Sequence, residues 1–148
     1  MIWMGENFQP RKCYYWLYYP KLARNLTRKI ENSELVATKY FTSRITSPEE
    51  KRIRQKNYLE VLQLRGNLQF FWGNYKDHQY DCSGCRRPNF IQNEKQTDVN
   101  IAVQMMVDAH QNNFDVAVLI SGDSDLVPPI SVIRQLFPQK QVLALLSA

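Results

Sequence analysis

The sequence predicts an α/β protein whose mainly parallel sheet is flanked by helices. Two observations lead to this prediction: short apolar runs without alternation, typical of strands buried on both faces, and helical segments that alternate with these runs. The apolar runs are residues 68–72, 115–120 and 141–146. The order of elements, with long segments between successive strands, implies parallel strands joined by right-handed crossovers.

The first half of the chain supplies the elements that come before and between these strands. Residues 21–30 carry apolar side chains at helical spacing and follow an aromatic-rich loop. Residues 35–45 are rich in β-branched and aromatic side chains, which predicts a strand. Residues 47–65 predict a helix, with Ser47 as its N-cap and Glu50 placed to close a capping box.

The second half contains the strongest helical pattern. Residues 73–93 are rich in turn formers and predict a long loop. Residues 94–112 and 126–136 predict two helices, and the second is followed by the last strand. The core face expected for the first of these helices has five apolar residues at spacings of three and four, namely Val99, Ala102, Val103, Met106 and Ala109.

Length and composition favour one globular domain. The chain has 148 residues, of which 44% are hydrophobic and 22% are charged, so residues 1–148 are expected to form a single domain with a sizeable core. No apolar stretch is long enough to span a bilayer, and the first residues lack a basic region followed by an apolar one. We therefore expect a cytoplasmic protein that does not contact a membrane.

The charge distribution favours a polyanionic partner. The formal net charge is +5 and the isoelectric point is about 9.2. Basic residues lie mostly before Arg87, whereas many acidic residues fall later, which suits a phosphodiester held by Lys and Arg and cut at a metal. Aromatic side chains beside Arg11 and Lys12 either stack on bases or fill the core under the sheet.

Three aspartates follow the predicted strands. Ser121 and a glycine end the run 115–120, and Asp123 and Asp125 come directly after. Two close carboxylates are favourable when a divalent cation lies between them, although Asp125 alone is equally explained as the N-cap of the next helix. Asp98 begins a helix at the same carboxyl edge, so we expect the three carboxylates to converge on Mg²⁺ or Mn²⁺.

A second candidate metal site lies in the long loop. Cys82 and Cys85 have the spacing of a pair that shares Zn²⁺, with His78 nearby. A structural zinc site needs four ligands, and few residues remain to complete it. A reduced pair of cytosolic thiols explains the same spacing.

The segment EKQTDVNIAVQMMVDAHQNNFDVAVLISGDSDLVPPI, residues 94–130, resembles the NYN-domain family of the PIN-like nuclease superfamily. Its lysine-then-aspartate helix and SGDSD turn are the matching motifs. The resemblance implies a Rossmann-like three-layer sandwich and a metal-dependent ribonuclease that hydrolyses RNA, with Asp98, Asp123 and Asp125 as the acidic residues. The candidate nucleic-acid-binding residues are Arg11, Lys12, Lys95 and Ser121.

The chain departs from this family at its first strand, which usually ends in an Asp-Gly-x-Asn turn. Here the turn reads Met4-Gly5-Glu6-Asn7, so Met4 stands where a metal-binding aspartate is expected. Three explanations remain: a chain start placed too late, Glu6 acting as a substitute, or a degenerate copy that binds RNA or a partner protein without cutting. In an active site, Asn7 would orient a water molecule or a substrate oxygen.

A different enzyme class is a further alternative. A phosphatase or sugar-transfer enzyme built on the Asp-x-Asp turn is disfavoured, because phosphoaspartate enzymes generally have a threonine soon after the second acid and this chain has Leu126-Val127-Pro128. The oligomeric state stays open between a monomer and a homodimer.

Overall fold

A computed structural model describes residues 17–64, 68–81, 84 and 88–145, with the side chains of residues 75–81 and 88–95 excepted. Helices and strands alternate along these residues, which confirms the α/β class. A short 3₁₀ helix, Ser124–Leu126, precedes the last α-helix. In chain order the elements are α1 (Tyr19–Thr27), β1 (Lys39–Ser43), α2 (Glu49–Leu64), β2 (Gln69–Asp81), β3 (Pro88–Lys95), α3 (Thr97–His110), β4 (Val116–Ile120), α4 (Val127–Leu136) and β5 (Gln141–Leu145).

The described chain divides into two compact units. Tyr19–Asn100 forms one, which we call the first unit, and the residues from Ile101 onward belong to the other, the second unit. The first unit contains the sheet β1-β2-β3 and the second contains the sheet β4-β5. None of the helices in the described ranges is both long and apolar enough to cross a bilayer.

The sheet of the first unit combines parallel and antiparallel pairing. β1 pairs in parallel with the beginning of β2, from Lys39 opposite Gln69 to Ser43 opposite Gly73. β2 then continues past Gly73 and pairs with β3 as an antiparallel hairpin. The prediction of a long loop at residues 73–93 was therefore wrong. The hairpin strands are rich in Asn, Asp, Gln and Lys, so they lack the apolar run that indicated the other strands.

Aromatic rings cover one face of β1 and β2 and pack against the first two helices. The ring centroids of Tyr19 in α1 and Tyr40 in β1 lie 4.7 Å apart. Tyr40 meets Phe70 edge to face, with their centroids 5.8 Å apart. The Phe70 and Trp72 rings are stacked with their centroids 5.8 Å apart. Tyr58 of α2 meets Tyr19 edge to face, with the ring centroids 6.4 Å apart. This row of rings joins α1 and α2 to the sheet through apolar contact.

The sheet of the second unit has one packed face and one exposed face. Ala117 and Leu119 of β4, with Val142 and Ala144 of β5, pack on a core of residues from α3 and α4 that includes fully buried Ile133. The opposite face carries apolar side chains that are 36% to 46% exposed: Val118, Ile120, Leu143 and Leu145. The prediction that the strand at 115–120 is buried on both faces was therefore wrong.

Helix α3 differs from its predicted bounds and its predicted core face. It begins at Thr97, three residues later than predicted, because the preceding residues belong to β3. Its C-terminus is closed by Asn112 at a φ of 57°, and the amide of Asn113 bonds to the carbonyl of Asp108 at 2.9 Å. Met105, Met106 and Ala109 pack into the core of the second unit, whereas Val99 and Val103 are exposed.

A buried lysine connects the loop before β4 to the loop before β5. Lys140 is only 4% exposed, and its Nζ donates to Asn112 Oδ1 and to the Phe114 carbonyl, both at 2.6 Å. The ammonium also lies 5.1 Å from the centroid of the Phe114 ring. A buried charge is tolerated only when it is hydrogen-bonded, and here both acceptors lie in the loop between α3 and β4. Lys140 therefore holds the entry to β4 against the entry to β5.

We expect Lys140→Met to lower the free energy of unfolding by about 2 kcal/mol, because it removes a buried ammonium that makes two charge-assisted hydrogen bonds, to Asn112 Oδ1 and to the half-buried Phe114 carbonyl. Urea denaturation followed by circular dichroism measures the change. Lys29→Met is the matched control, since Lys29 is exposed and its replacement should be nearly neutral. An equal loss in both variants would contradict the role given to Lys140.

A second prediction concerns the tyrosine cluster formed by Tyr19, Tyr40 and Tyr58. Burial, followed by the charge of Tyr40, raises the pKa of Tyr58 to about 12, and burial also raises the pKa of Tyr19. A raised tyrosine pKa stabilises the fold fully below the ordinary value of 10.0, and this stabilisation is lost as the pH rises toward about 12. The free energy of unfolding of wild type should therefore fall relative to that of Tyr58→Phe between pH 10 and about 12. Urea titrations at successive pH values measure this difference. A constant difference between the two proteins would contradict this assignment.

Candidate functional site

The turn after β4 is held together by its own side chains. Ser121 Oγ accepts the amide of Asp123 at 3.1 Å, and Asp123 Oδ1 accepts the amide of Asp125 at 2.8 Å. Asp123 has extended backbone angles, φ −90° and ψ 122°, and is the N-cap of the 3₁₀ helix. The small residues of the SGDSD motif thus form a turn that presents two carboxylates at the carboxyl end of a parallel strand, where α/β proteins bind ligands.

The two aspartates of this turn have different roles in the fold. Asp123 is half-buried with one carboxylate oxygen engaged in capping, whereas Asp125 is exposed. Within the described part of the chain, the Asp125 carboxylate has no hydrogen-bond or ion-pair partner. The alternative that Asp125 is only an N-cap was wrong, because Asp123 supplies the cap and α4 itself starts after Leu126 without one.

Asp98 occupies the first turn of α3, which is attached to the carboxyl edge of the first unit's sheet. Ser43 Oγ, at the end of β1, lies 3.3 Å from Thr97 Oγ1. Asn100 Nδ2 donates to the Trp72 carbonyl of β2 at 3.1 Å. These two contacts are one residue before and two residues after Asp98, so they set the position of the backbone that carries this exposed carboxylate.

A third contact attaches the residue from which α3 begins. Asn74 Nδ2 donates to Gln96 Oε1 at 2.7 Å, and the Gln96 carbonyl accepts the amide of Asn100 at 2.8 Å. Gln96 has a φ of 73°, a left-handed conformation that costs a non-glycine residue about 1 kcal/mol. The chain changes direction sharply at Gln96, between β3 and α3. The hydrogen bond from the Asn74 side chain helps to offset the backbone strain of this residue.

The end of β1 is held from its other side by helix α2. Gln55 Oε1 accepts the amide of Ile45 and Gln55 Nε2 donates to the carbonyl of Ser43, both at 2.8 Å. Ser43 is 2% exposed, so its polar groups need these partners. One glutamine side chain thereby satisfies the two backbone groups that the parallel ladder leaves at this edge.

Sequence reasoning missed a pair of residues at the same edge. The guanidinium carbon of Arg44 lies 4.6 Å from the centroid of the Trp72 ring. An open cavity of about 380 Å³ adjoins this pair and is lined by Arg44, Thr46, Trp72, Gly73 and Asn74. The register of β1 and β2 brings Arg44 and Trp72 together. Thr42 lies opposite Trp72, and Arg44 follows two residues later on the same face.

The predicted site residues fall in different parts of the structure. Asp98 belongs to the first unit, and Asp123 and Asp125 belong to the second, so their convergence stays a prediction. Among the described residues, no group of three or more His, Cys, Asp or Glu side chains is arranged to hold a metal ion. Lys95 ends β3, so its predicted place in the helix was wrong.

Several predicted residues lie outside the described residues. Asn7, Arg11 and Lys12 precede the first described residue, and Cys82 and Cys85 fall in the gaps around residue 84. For His78 and Lys95 the backbone is described and the side chain is not. The zinc site and the contacts expected of these residues stay predictions.

The fold and the turn define a class: an α/β protein with an Asp-x-Asp turn at the carboxyl end of a parallel strand. Residues 3–147 match the family model described as the NYN domain. The chain therefore belongs to the NYN domain family, which is nuclease-like and related to ribonucleases. Comparison with curated proteins and with solved structures gave no match.

The geometry of the turn predicts unequal effects on stability. Asp123→Ala removes the capping oxygen and should lower the free energy of unfolding by about 1 kcal/mol. Asp125→Ala, at an exposed carboxylate, should change it by less than about 0.5 kcal/mol. Asp123→Asn is the matched control, because asparagine also caps well and should stay close to wild type. Thermal unfolding in the presence of a chelator measures all three, and a larger loss for Asp125→Ala would refute the capping assignment.

Proposed function

We propose that this protein hydrolyses RNA phosphodiester bonds at a divalent metal held by Asp98, Asp123 and Asp125. Nucleases of the NYN and PIN-like type generally use divalent metals and act on RNA. The observation that carries the proposal is the SGDSD turn, which holds two carboxylates at the end of β4 within a chain of this family. The proposal includes the three-layer sandwich that the family resemblance implies.

The residues of the turn fit a hard cation. Asp123 uses Oδ1 for capping, which leaves its second oxygen for a ligand, and Asp125 contributes an exposed carboxylate. Carboxylate oxygens are the donors that Mg²⁺ and Mn²⁺ prefer. When bound, such a metal activates water and offsets charge on a phosphate. Asp98 would add a further carboxylate from a helix turn that the first unit holds in place.

The proposal is tested by incubating labelled single-stranded RNA with the purified protein and Mn²⁺. We expect cleavage that a chelator abolishes, and a loss of at least about a hundredfold in rate for Asp98→Asn combined with Asp123→Asn. Asparagine keeps the size of both side chains and the cap of the 3₁₀ helix, so the loss should occur without unfolding.

Asp115→Asn is the control, because Asp115 is an exposed acid at the start of β4 outside the motif. It should retain wild-type cleavage. Cleavage that survives the double substitution would come from a contaminating nuclease and would end the proposal.

The alternative is a binding module that has lost catalysis, and Met4 at the place of the family's aspartate is the observation that favours it. In that case RNA affinity should fall with added salt while cleavage stays absent. Met4→Asp separates the two functions, because gained cleavage would show an acidic site that lacked one ligand.

A further inference from the structure

We propose that Arg44, held over Trp72, binds a backbone phosphate of single-stranded RNA in the cavity beside α3. This inference rests on the proposed function for the kind of substrate, and it assigns a binding residue outside the SGDSD turn. Its basis is a cavity, a stacked cation and a set of hydrogen bonds within the first unit.

The stacking contact leaves the hydrogen-bonding edge of Arg44 accessible. A guanidinium that lies on an aromatic ring uses its face for the contact, and its five N–H donors remain directed outward in the plane. Arg44 is exposed, and within the described part of the chain its guanidinium makes no hydrogen bond or ion pair. A phosphate accepts two parallel hydrogen bonds from such a fork.

Trp72 restricts where Arg44 can point. The indole is stacked on Phe70, and the backbone carbonyl of Trp72 accepts a hydrogen bond from Asn100 Nδ2, so both the ring and the backbone that carries it have a fixed neighbour. An arginine already ordered by stacking loses less conformational entropy when it binds its ligand. The pair therefore acts as a prepared anion site, whereas an unsupported surface arginine must be ordered on binding.

The cavity has room and polarity for a phosphodiester. Its volume is about 380 Å³, and Gly73 contributes no side chain to its wall. Thr46 and Asn74 add polar groups next to Arg44. None of the described residues that line it is acidic, so these residues present no like charge to an anion that enters the cavity.

The hydrogen bonds of the first unit place this cavity next to the helix turn that carries Asp98. Asn74 is bonded to the Gln96 side chain, and Trp72 is bonded to Asn100. Gln96 and Asn100 lie two residues on either side of Asp98. RNA bound at Arg44 would therefore run along the same sheet edge as this aspartate, and Arg44 would position the strand while taking no part in bond cleavage.

The test measures RNA affinity separately from cleavage. A short labelled single-stranded RNA is titrated in the presence of a chelator, and its fluorescence anisotropy is followed between about 50 and 200 mM salt. Arg44→Ala should weaken binding about tenfold. Loss of one phosphate contact should also reduce the slope of log affinity against log salt by about 0.7.

Four further variants distinguish a site built from Arg44 and Trp72 from a general effect of positive charge. Arg44→Lys keeps the charge and loses the fork, so it should recover only part of the affinity. Trp72→Phe keeps a ring under the guanidinium and should bind better than Trp72→Leu. Arg52→Ala removes an equal charge from an exposed arginine paired with Glu49 at 3.1 Å, and it should stay within about twofold of wild type.

The outcomes separate this inference from the proposed function. Cleavage by wild type combined with unchanged affinity in Arg44→Ala would overturn the phosphate site alone. Weakened binding in Arg44→Ala without cleavage by wild type would support the site and remove the hydrolysis. Equal losses in Arg44→Ala and Arg52→Ala would also overturn the inference, because charge alone would explain them. Unchanged thermal unfolding of the Arg44 variants excludes misfolding.

Discussion

The attachment of helix α3 to the end of the β1-β2 pair is the constraint on which the candidate site in the first unit depends. Parallel strands end at one edge with backbone groups that the ladder no longer satisfies. Side chains from α2 and α3 satisfy these groups. Gln55 takes the groups at the end of β1, and the Asn100 amide takes the Trp72 carbonyl.

The same attachment explains why candidate site residues of the first unit lie at this edge. An amide or hydroxyl that bonds across the edge must come from a loop or from a first helical turn, since the strand interiors are already paired. Thr97 and Asn100 use their side chains in this way, and Asp98 lies between them in sequence. A carboxylate in a first turn also interacts favourably with the helix dipole, which lowers the cost of keeping it charged.

The spacing of apolar residues was enough to predict most helices and strands. The largest error fell on residues 73–93, where the strands are rich in polar residues. β1, α2, β4, α4 and β5 all appear within the predicted segments, because each carries an apolar pattern that burial requires. β2 and β3 pair as an antiparallel hairpin although their sequence is rich in polar residues, so residues 73–93 lacked the apolar pattern by which the other strands were predicted. That error also moved the predicted start of α3 toward the chain's N-terminus.

The candidate site was predictable only where its residues are close in sequence. Asp123 and Asp125 sit in one short turn after an apolar run, so the spacing itself indicates the geometry. The pairing of Arg44 with Trp72 depends on which residue of β1 faces which residue of β2, and no local pattern specifies that register. For the same reason, sequence reasoning treated the aromatic residues as core and overlooked their use as a support for a cation.

The capping role of Asp123 has a consequence for how metal binding and folding are related. Two neighbouring carboxylates repel each other in the absence of a cation, and a turn that relied on the cation would be unstable without it. Here the amide of Asp125 already stabilises the Asp123 carboxylate, and Ser121 supports the preceding amide. The turn is thus formed by protein groups alone, so a metal would enter a largely prepared site and its affinity would not have to cover the cost of ordering the loop.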